Sequence, residues 1–372
     1  MKPELKNLFE PGKLAGAEPL SAIKKNMLVM ILLPPEILEK HIKKILQKST
    51  CVLLLSKGRE KTNQMLLSFS KRGVLVGPAS FGVANTGNGL VETISGNVQR
   101  GKMAIVADDP LLAEMAAERG ERYRVGVSKF VCLGETGVQL IEMLEFLKQD
   151  RETEIIGLVL KNILKRKDIE FIKSISVEKP VLIFSALTEN KIFVSAIKQA
   201  GGIPAETLEE MFCGAKMLAS GRPMMGRKIA VVTNSKSAGL LAEKWIGKSE
   251  MMLAALPQEA FKKFKKGVEV NGFVNLGEEA TGEDFQAMVN RVLEEKEIDA
   301  LLVVVAIGLG KLGKDDLKKV VERCEKCKEK PVALVALGAK TDDIAEISKG
   351  KTPVFLDVGD AIAALKISAL KR

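Results

Sequence analysis

The 372-residue sequence predicts an α/β protein of parallel sheets with helices on both faces, and three observations carry that reading. Short apolar runs of strand length alternate with amphipathic stretches of about a dozen residues, which is the pattern of βαβ units with right-handed crossovers. The apolar runs are continuous, as IAVV at 229–232 and LLVVV at 301–305 show, so their strands are buried on both faces. The alternation breaks at GPASFGVANTGNGLVETISGNVQRGK (77–102), a glycine-rich loop, and at SGRPMMGRK (220–228), which divides it into three runs.

Residues 1–26 contain Pro3, Pro11, Gly12, Gly16 and Pro19 with little periodicity and read as loop. In the first run MLVMILLP, CVLLLSKG and VLVGP are strands, and PEILEKHIKKILQK and TNQMLLSFSKRG are helices. Its first βα turn lacks the glycines of a dinucleotide-type half-fold, so 1–78 is expected to form a truncated Rossmann-like domain. The second run, 79–221, begins with the strand KMAIVAD and ends with the helix of GIPAETLEEMFCGAKMLASG. The third, 222–372, repeats the scheme from RKIAVVT to VGDAIAALKISAL. Both are expected to be flavodoxin-like doubly wound parallel-sheet domains related by internal duplication.

No apolar run reaches the roughly 18 residues of a membrane-spanning helix, and MKPELKNLFEPGKL is not a secretory signal, so the expected location is cytoplasmic. The five cysteines follow no disulfide framework, and Cys324 and Cys327 form a C-x-x-C without a second pair or a histidine nearby, so no metal site is expected. The net charge of +10 raises nucleic-acid binding. Lysines interleave with acids along most helices and aromatics are 4% of residues, so that reading ranks last and a solvated lysine-rich surface explains the charge. Attraction for a nucleotide or coenzyme A is compatible with it.

Two strand-to-helix turns carry chemistry. In RKIAVVTNSKSAGLLAEKW (227–245), Asn234, Ser235, Lys236, Ser237 and Gly239 follow a buried strand, and a helix start there presents free N–H groups to a phosphate or carboxylate. The plain alternative is an ordinary βα connection. In KMAIVADDPLLAEMAAERG (102–120), Asp108 or Asp109 reads as a helix N-cap with Pro110 at the first helical position, and two carboxylates at that mouth repel a phosphoryl group.

The pieces resemble, in order, the α subunit of the NDP-forming acyl-CoA synthetases (acetate-CoA ligase, ADP-forming), relatives of succinyl-CoA synthetase. They are VGPASFGVANTG at 76–87, KPVLIF with AIKQAGGIPAETLEEMF, RKIAVVTNSKSAG, ATGEDFQAMVNRVLEEKEIDALLVVV and KPVALVALG. The resemblance makes 1–78 a CoA-binding-type domain, 79–221 a succinyl-CoA-synthetase-like domain and 222–372 a second ligase-type domain. It implies handling of an acyl phosphate, a phosphohistidine and coenzyme A, with an ATP-grasp β subunit as partner or a homo-oligomer. The family's histidine belongs after PVLIFSAL, where this chain has none, and the sole histidine is His41 in the first run. The family's glycine-rich coenzyme A turn is also absent. Remnants of that pocket are expected at the strand exits: Pro34 with its neighbours Leu33 and Pro35, Ser56, Gly58, Gly77 and Pro78. The expectation is a synthetase-like subunit without a catalytic residue of its own, serving as a binding, regulatory or structural partner. The alternative is an active subunit whose histidine comes from another chain.

Overall fold

The computed structural model describes residues 8–9, 23, 27–94, 98–186, 191–258, 261, 264, 268–308, 310, 312–328, 330–340, 344, 347 and 352–371. The chain divides into two compact units, Met1–Leu208 and Glu209–Arg372. None of the described helices is long and apolar enough to cross a membrane.

The first unit contains two sheets. The smaller is parallel, in the order β1 (Leu28–Ile31), β2 (Cys51–Leu54), β3 (Val74–Val76). Strand side chains alternate between faces. Val52, Leu54 and Leu75 therefore meet Leu38, Ile42, Ile45 and Leu46 of α1 (Pro35–Lys48) and Leu66 and Phe69 of α2 (Glu60–Ser70). Cys51, Leu53, Val74 and Val76 turn the other way and join the core of the second sheet, together with Leu8 and Phe9.

The second sheet has the order β10-β9-β8-β6-β7-β4-β5. Its parallel part comprises β6 (Arg100–Ala107), β7 (Val127–Cys132), β8 (Ile155–Leu160), β9 (Val181–Ser185) and β10 (Ile203–Ala205). Helices α3 (Pro110–Tyr123), α4 (Leu140–Gln149), α5 (Arg166–Ser176) and α6 (Lys191–Gln199) connect these strands. The stretch 77–102 is not a loop: β4 (Gly82–Asn85) and β5 (Leu90–Thr93) form an antiparallel hairpin, and β4 pairs antiparallel with β7. Asn85 and Asn88 shape its turn by accepting the N–H groups of Gly87 and Leu90, and both side-chain amides donate to the Phe9 carbonyl at 2.9 and 2.8 Å. Such Asx contacts turn the chain in place of backbone pairing.

The second unit repeats the plan. Strands β11 (Lys228–Thr233), β14 (Phe273–Asn275), β15 (Ala300–Ala306), β16 (Val332–Leu337) and β17 (Val354–Phe355) lie parallel in the order β14-β11-β15-β16-β17. The short β12 (Met252–Leu253) pairs with β11, and β13 (Glu269–Asn271) is an antiparallel edge beside β14. Helices α7 (Leu208–Leu218), α8 (Lys236–Lys248), α9 (Gly282–Leu293), α10 (Lys314–Glu325) and α11 (Val358–Leu370) accompany them. Helix α7 packs on α11, where Lys366 pairs with Glu210 at 2.9 Å. In each large sheet the first strand, β6 or β11, stands between the second and third, which is the flavodoxin-like order with its switch point beside the first strand.

All five cysteines are buried free thiols. Burial pushes Cys51 up to about 12 and Cys132 up to about 11, and it also raises Cys324, in the last turn of α10, and Cys327, just past it. Thiols so raised are poor ligands and nucleophiles. Cys324 and Cys327 pack in the core of the second unit, among Leu317, Val320 and Val332.

Candidate functional site

Ligands of open α/β sheets sit beyond the carboxyl ends of the strands at the switch point. In the second sheet that place is taken by the protein's own carboxylates. Asp109 caps α3, accepting the N–H groups of Leu111 and Leu112 at 3.0 and 3.2 Å, and Pro110 stands at the first helical position. Asp108, at the exit of β6, reaches across to the exit of β8. There it accepts the N–H of Lys161 at 2.6 Å, the N–H of Asn162 at 3.0 Å and the Asn162 amide at 2.9 Å. Lys161 Nζ lies 3.4 Å from Asp109 and offsets one of the two negative charges. Donors that could cradle a phosphate are thus already satisfied by internal anions. A cavity of about 350 Å3 opens beside them, lined by Asp108, Thr136, Gln139, Asn162 and Lys165 among others.

The equivalent place in the second unit is open. Asn234 is fully buried, and its side chain bridges to the exit of β15, donating to the Ala306 carbonyl at 3.0 Å and accepting the Ala306 N–H at 2.9 Å. Thr233 Oγ1 accepts the Ser235 N–H, and Ser235 Oγ caps α8 by accepting the N–H of Ala238 at 3.4 Å. The N–H groups of Lys236 and Ser237, in the first turn of α8, have no partner among the described residues. Both residues are exposed. Ser237 borders a shallow depression of about 360 Å3 whose walls include Ser235, Leu241, Ala306, Ile307 and Leu337.

Five residues of this turn stood out in the sequence, and the structure separates their roles. Ser235 and Ser237 line the depression, and Lys236 lies between them at the first helical position. Asn234 ties two strand exits together, and Gly239 faces Phe273, whose ring atoms lie 2.1–2.5 Å from where a Cβ would be. The walls from β15 and β16 join the turn only through strand order, which the local sequence does not carry.

The strand exits of the first sheet bind one another. Ser56 Oγ accepts the Leu33 N–H at 2.7 Å, and the Ser56 carbonyl accepts the Ala79 N–H at 3.0 Å. Gly77 and Pro78 are buried, with Gly77 N–H donating to Leu133 and the Pro78 carbonyl accepting from Glu135. Gly58 lies against the side chain of Asn63, and exposed Pro34 precedes α1, which Pro35 begins. His41 is half-buried on α1. The link after β9, where the family's histidine belongs, includes residues 187–190, outside the described residues.

A small parallel sheet precedes two sheets of flavodoxin-like strand order, each with a βα turn at its switch point. The chain resembles the α subunit of the NDP-forming acyl-CoA synthetases. The family description "Succinyl-CoA ligase like flavodoxin domain" matches residues 100–186. The α subunit of ADP-forming acetate-CoA ligase II from Pyrococcus furiosus is 23% identical over 274 residues, which are 67% of this chain and 60% of that relative. A crystal structure of a Pyrococcus horikoshii protein superposes with a TM-score of 0.82 at 20% identity, covering 94% of this chain and 84% of the other. A dinucleotide-forming acetyl-coenzyme A synthetase from Ca. Korarchaeum cryptofilum, in complex with phosphate and ADP, superposes with a TM-score of 0.80 at 17% identity, covering 99% and 91%.

Proposed function

We propose that this chain is a synthetase-like α subunit without a phosphohistidine of its own, acting as a binding, regulatory or structural partner rather than a catalyst. One observation carries the reading: the only histidine, His41, belongs to the small first sheet's helix α1, while at the switch point of the second sheet Asp108 and Asp109 occupy the backbone donors. Phosphoryl relay needs a nucleophilic imidazole beside donors that stabilise the transferred charge. A partner of the ATP-grasp type fits a chain whose relatives include α subunits. Incubation with γ-labelled ATP, magnesium and candidate partner subunits tests the proposal. The expected result is no label on this chain, and acid-labile, alkali-stable phosphate on it overturns the reading.

The free N–H groups of Lys236 and Ser237 favour a second reading, an active subunit whose histidine comes from another chain. Under either reading an anionic ligand, such as ADP or coenzyme A, is held at the start of α8, with Lys236 adding charge. The Ser237→Asp variant places a carboxylate at that mouth and is expected to abolish such binding in calorimetry. An unchanged affinity removes the turn from consideration.

A further inference from the structure

The chain's positive charge is concentrated at one end. Residues 1–78 carry 14 Lys and Arg against six Asp and Glu, which is a net +8 of the whole chain's +10. Within the described part, the structure also sorts these charges along the helices. Glu36 and Glu39 lie in the first half of α1, paired with Arg59 and Lys61, and Glu60 begins α2. Lys40, Lys43, Lys44 and Lys48 follow on α1, all exposed, and no acidic residue occupies the rest of that helix.

Helices α1 and α2 lie side by side on one face of the first sheet. Arg72, just past α2, donates to the Leu46 carbonyl of α1 at 2.9 Å and stacks on Phe69, which brings Lys71 and Arg72 beside the lysines of α1. Lys40, Lys43, Lys44 and Lys71 have no ion-pair partner among the described residues. A helix C-terminus is stabilised by a cation in its last turn, a role Lys48 fills, so the dipole does not account for Lys40 or Lys43. Both helices begin where the strands end, so this face lies at the opposite edge of the sheet from the strand exits at Leu33, Ser56 and Gly77.

We propose that the second halves of α1 and α2 form a docking face for the phosphate backbone of a nucleic-acid duplex, read without regard to sequence. Lysine is depleted at protein–protein interfaces and aromatic residues are enriched there, and this face has the reverse composition. The apolar stripe of α1 is buried on the sheet, and the exposed apolar side chains Ile37 and Leu67 stand on different helices, so no continuous apolar face is left to enter a bilayer. Without exposed aromatic side chains there is no platform for stacking single-stranded bases. What remains is a cluster of cations that neutralises phosphates by releasing counterions. The proposal runs against the ranking drawn from the interleaved lysines of the whole chain, because α1 departs from that pattern.

The test is fluorescence anisotropy with labelled 20-base-pair DNA and RNA duplexes from 50 to 200 mM salt. With about four phosphates neutralised, affinity is expected to fall roughly 100-fold across that range. Replacing Lys40, Lys43, Lys44 and Lys71 together with glutamine is expected to weaken binding at 50 mM salt more than about tenfold and to flatten the salt slope. The same four positions changed to arginine keep both, and Lys244→Gln with Lys318→Gln, in the second unit, changes neither. Absence of duplex binding at 50 mM salt overturns the proposal, as does unaltered binding by the glutamine variant at an unchanged melting temperature. Preferential binding to vesicles of phosphatidylserine and phosphatidylcholine, or to a polyglutamate chain, overturns it as well.

Discussion

Gly77→Ala is expected to destabilise the first unit by about 4 kcal/mol, loosening the small sheet from the larger one. Gly77 has φ +104°, and a Cβ there would lie 2.2 Å from the Leu54 carbonyl oxygen. Backbone strain of this kind costs about 1–3 kcal/mol, and overpacking adds about 1–3 kcal/mol. A backbone oxygen inside a parallel sheet cannot move aside as a flexible side chain can. The surrounding bonds would be disturbed together: Gly77 to Leu133, Ala79 to Ser56 and Ser80 to Leu54. Gly89→Ala is the control, because its φ of +80° is also positive while nothing lies within 4 Å of its Cβ position. The control is expected to cost about 1 kcal/mol. Hydrogen exchange should show faster exchange in β1–β3 of Gly77→Ala and no change in β11–β17. Equal protection of the small sheet in both variants contradicts the expectation.

The parallel strands were legible because burial on both faces leaves an unbroken apolar run that no other element of that length imitates. The hairpin β4–β5 and the edge β13–β14 were not. Their strands are three or four residues long and rich in glycine and asparagine, and what shapes them is distant: Asn85 is satisfied by Phe9, 76 positions away. The same divide runs through the candidate site. Asp109 as a cap could be read from ADDP, since capping connects residues two and three apart. The reach of Asp108 to Lys161 and Asn162, and of Asn234 to Ala306, depends on which strands are neighbours. Gly239 reads as part of an anion turn because a glycine after small polar residues has the same local signature whether a ligand or a phenyl ring approaches it. Here the ring of Phe273 does.

That dependence on strand order makes the acid-occupied switch point of the second sheet open to experiment. A double variant, Asp108→Ser with Asp109→Ser, keeps a hydroxyl cap for α3 while withdrawing both carboxylates. Asp108 alone accepts three hydrogen bonds, two of them from backbone N–H groups. Hydrogen bonds to a charged group contribute about 1.5–3 kcal/mol each, and partial exposure with replacement by water reduces the loss, so the variant is expected to be about 2–4 kcal/mol less stable. Cap replacement by serine adds little, as the two residues rank together at this position. The withdrawn charge leaves the N–H groups of Lys161 and Asn162 pointing into the crevice, with Lys161 Nζ released from its contact with Asp109. Inorganic phosphate added to the double variant should therefore occupy the vacated place. An anion that binds only the folded state raises stability by about 2.7 kcal/mol at 100 times its dissociation constant. The melting temperature of the double variant is expected to climb with phosphate well beyond the rise seen for the unaltered chain at matched ionic strength. A parallel rise in both proteins would mean that Asp108 and Asp109 do not close the site, and that the second sheet's switch point is shut by something other than its own acids.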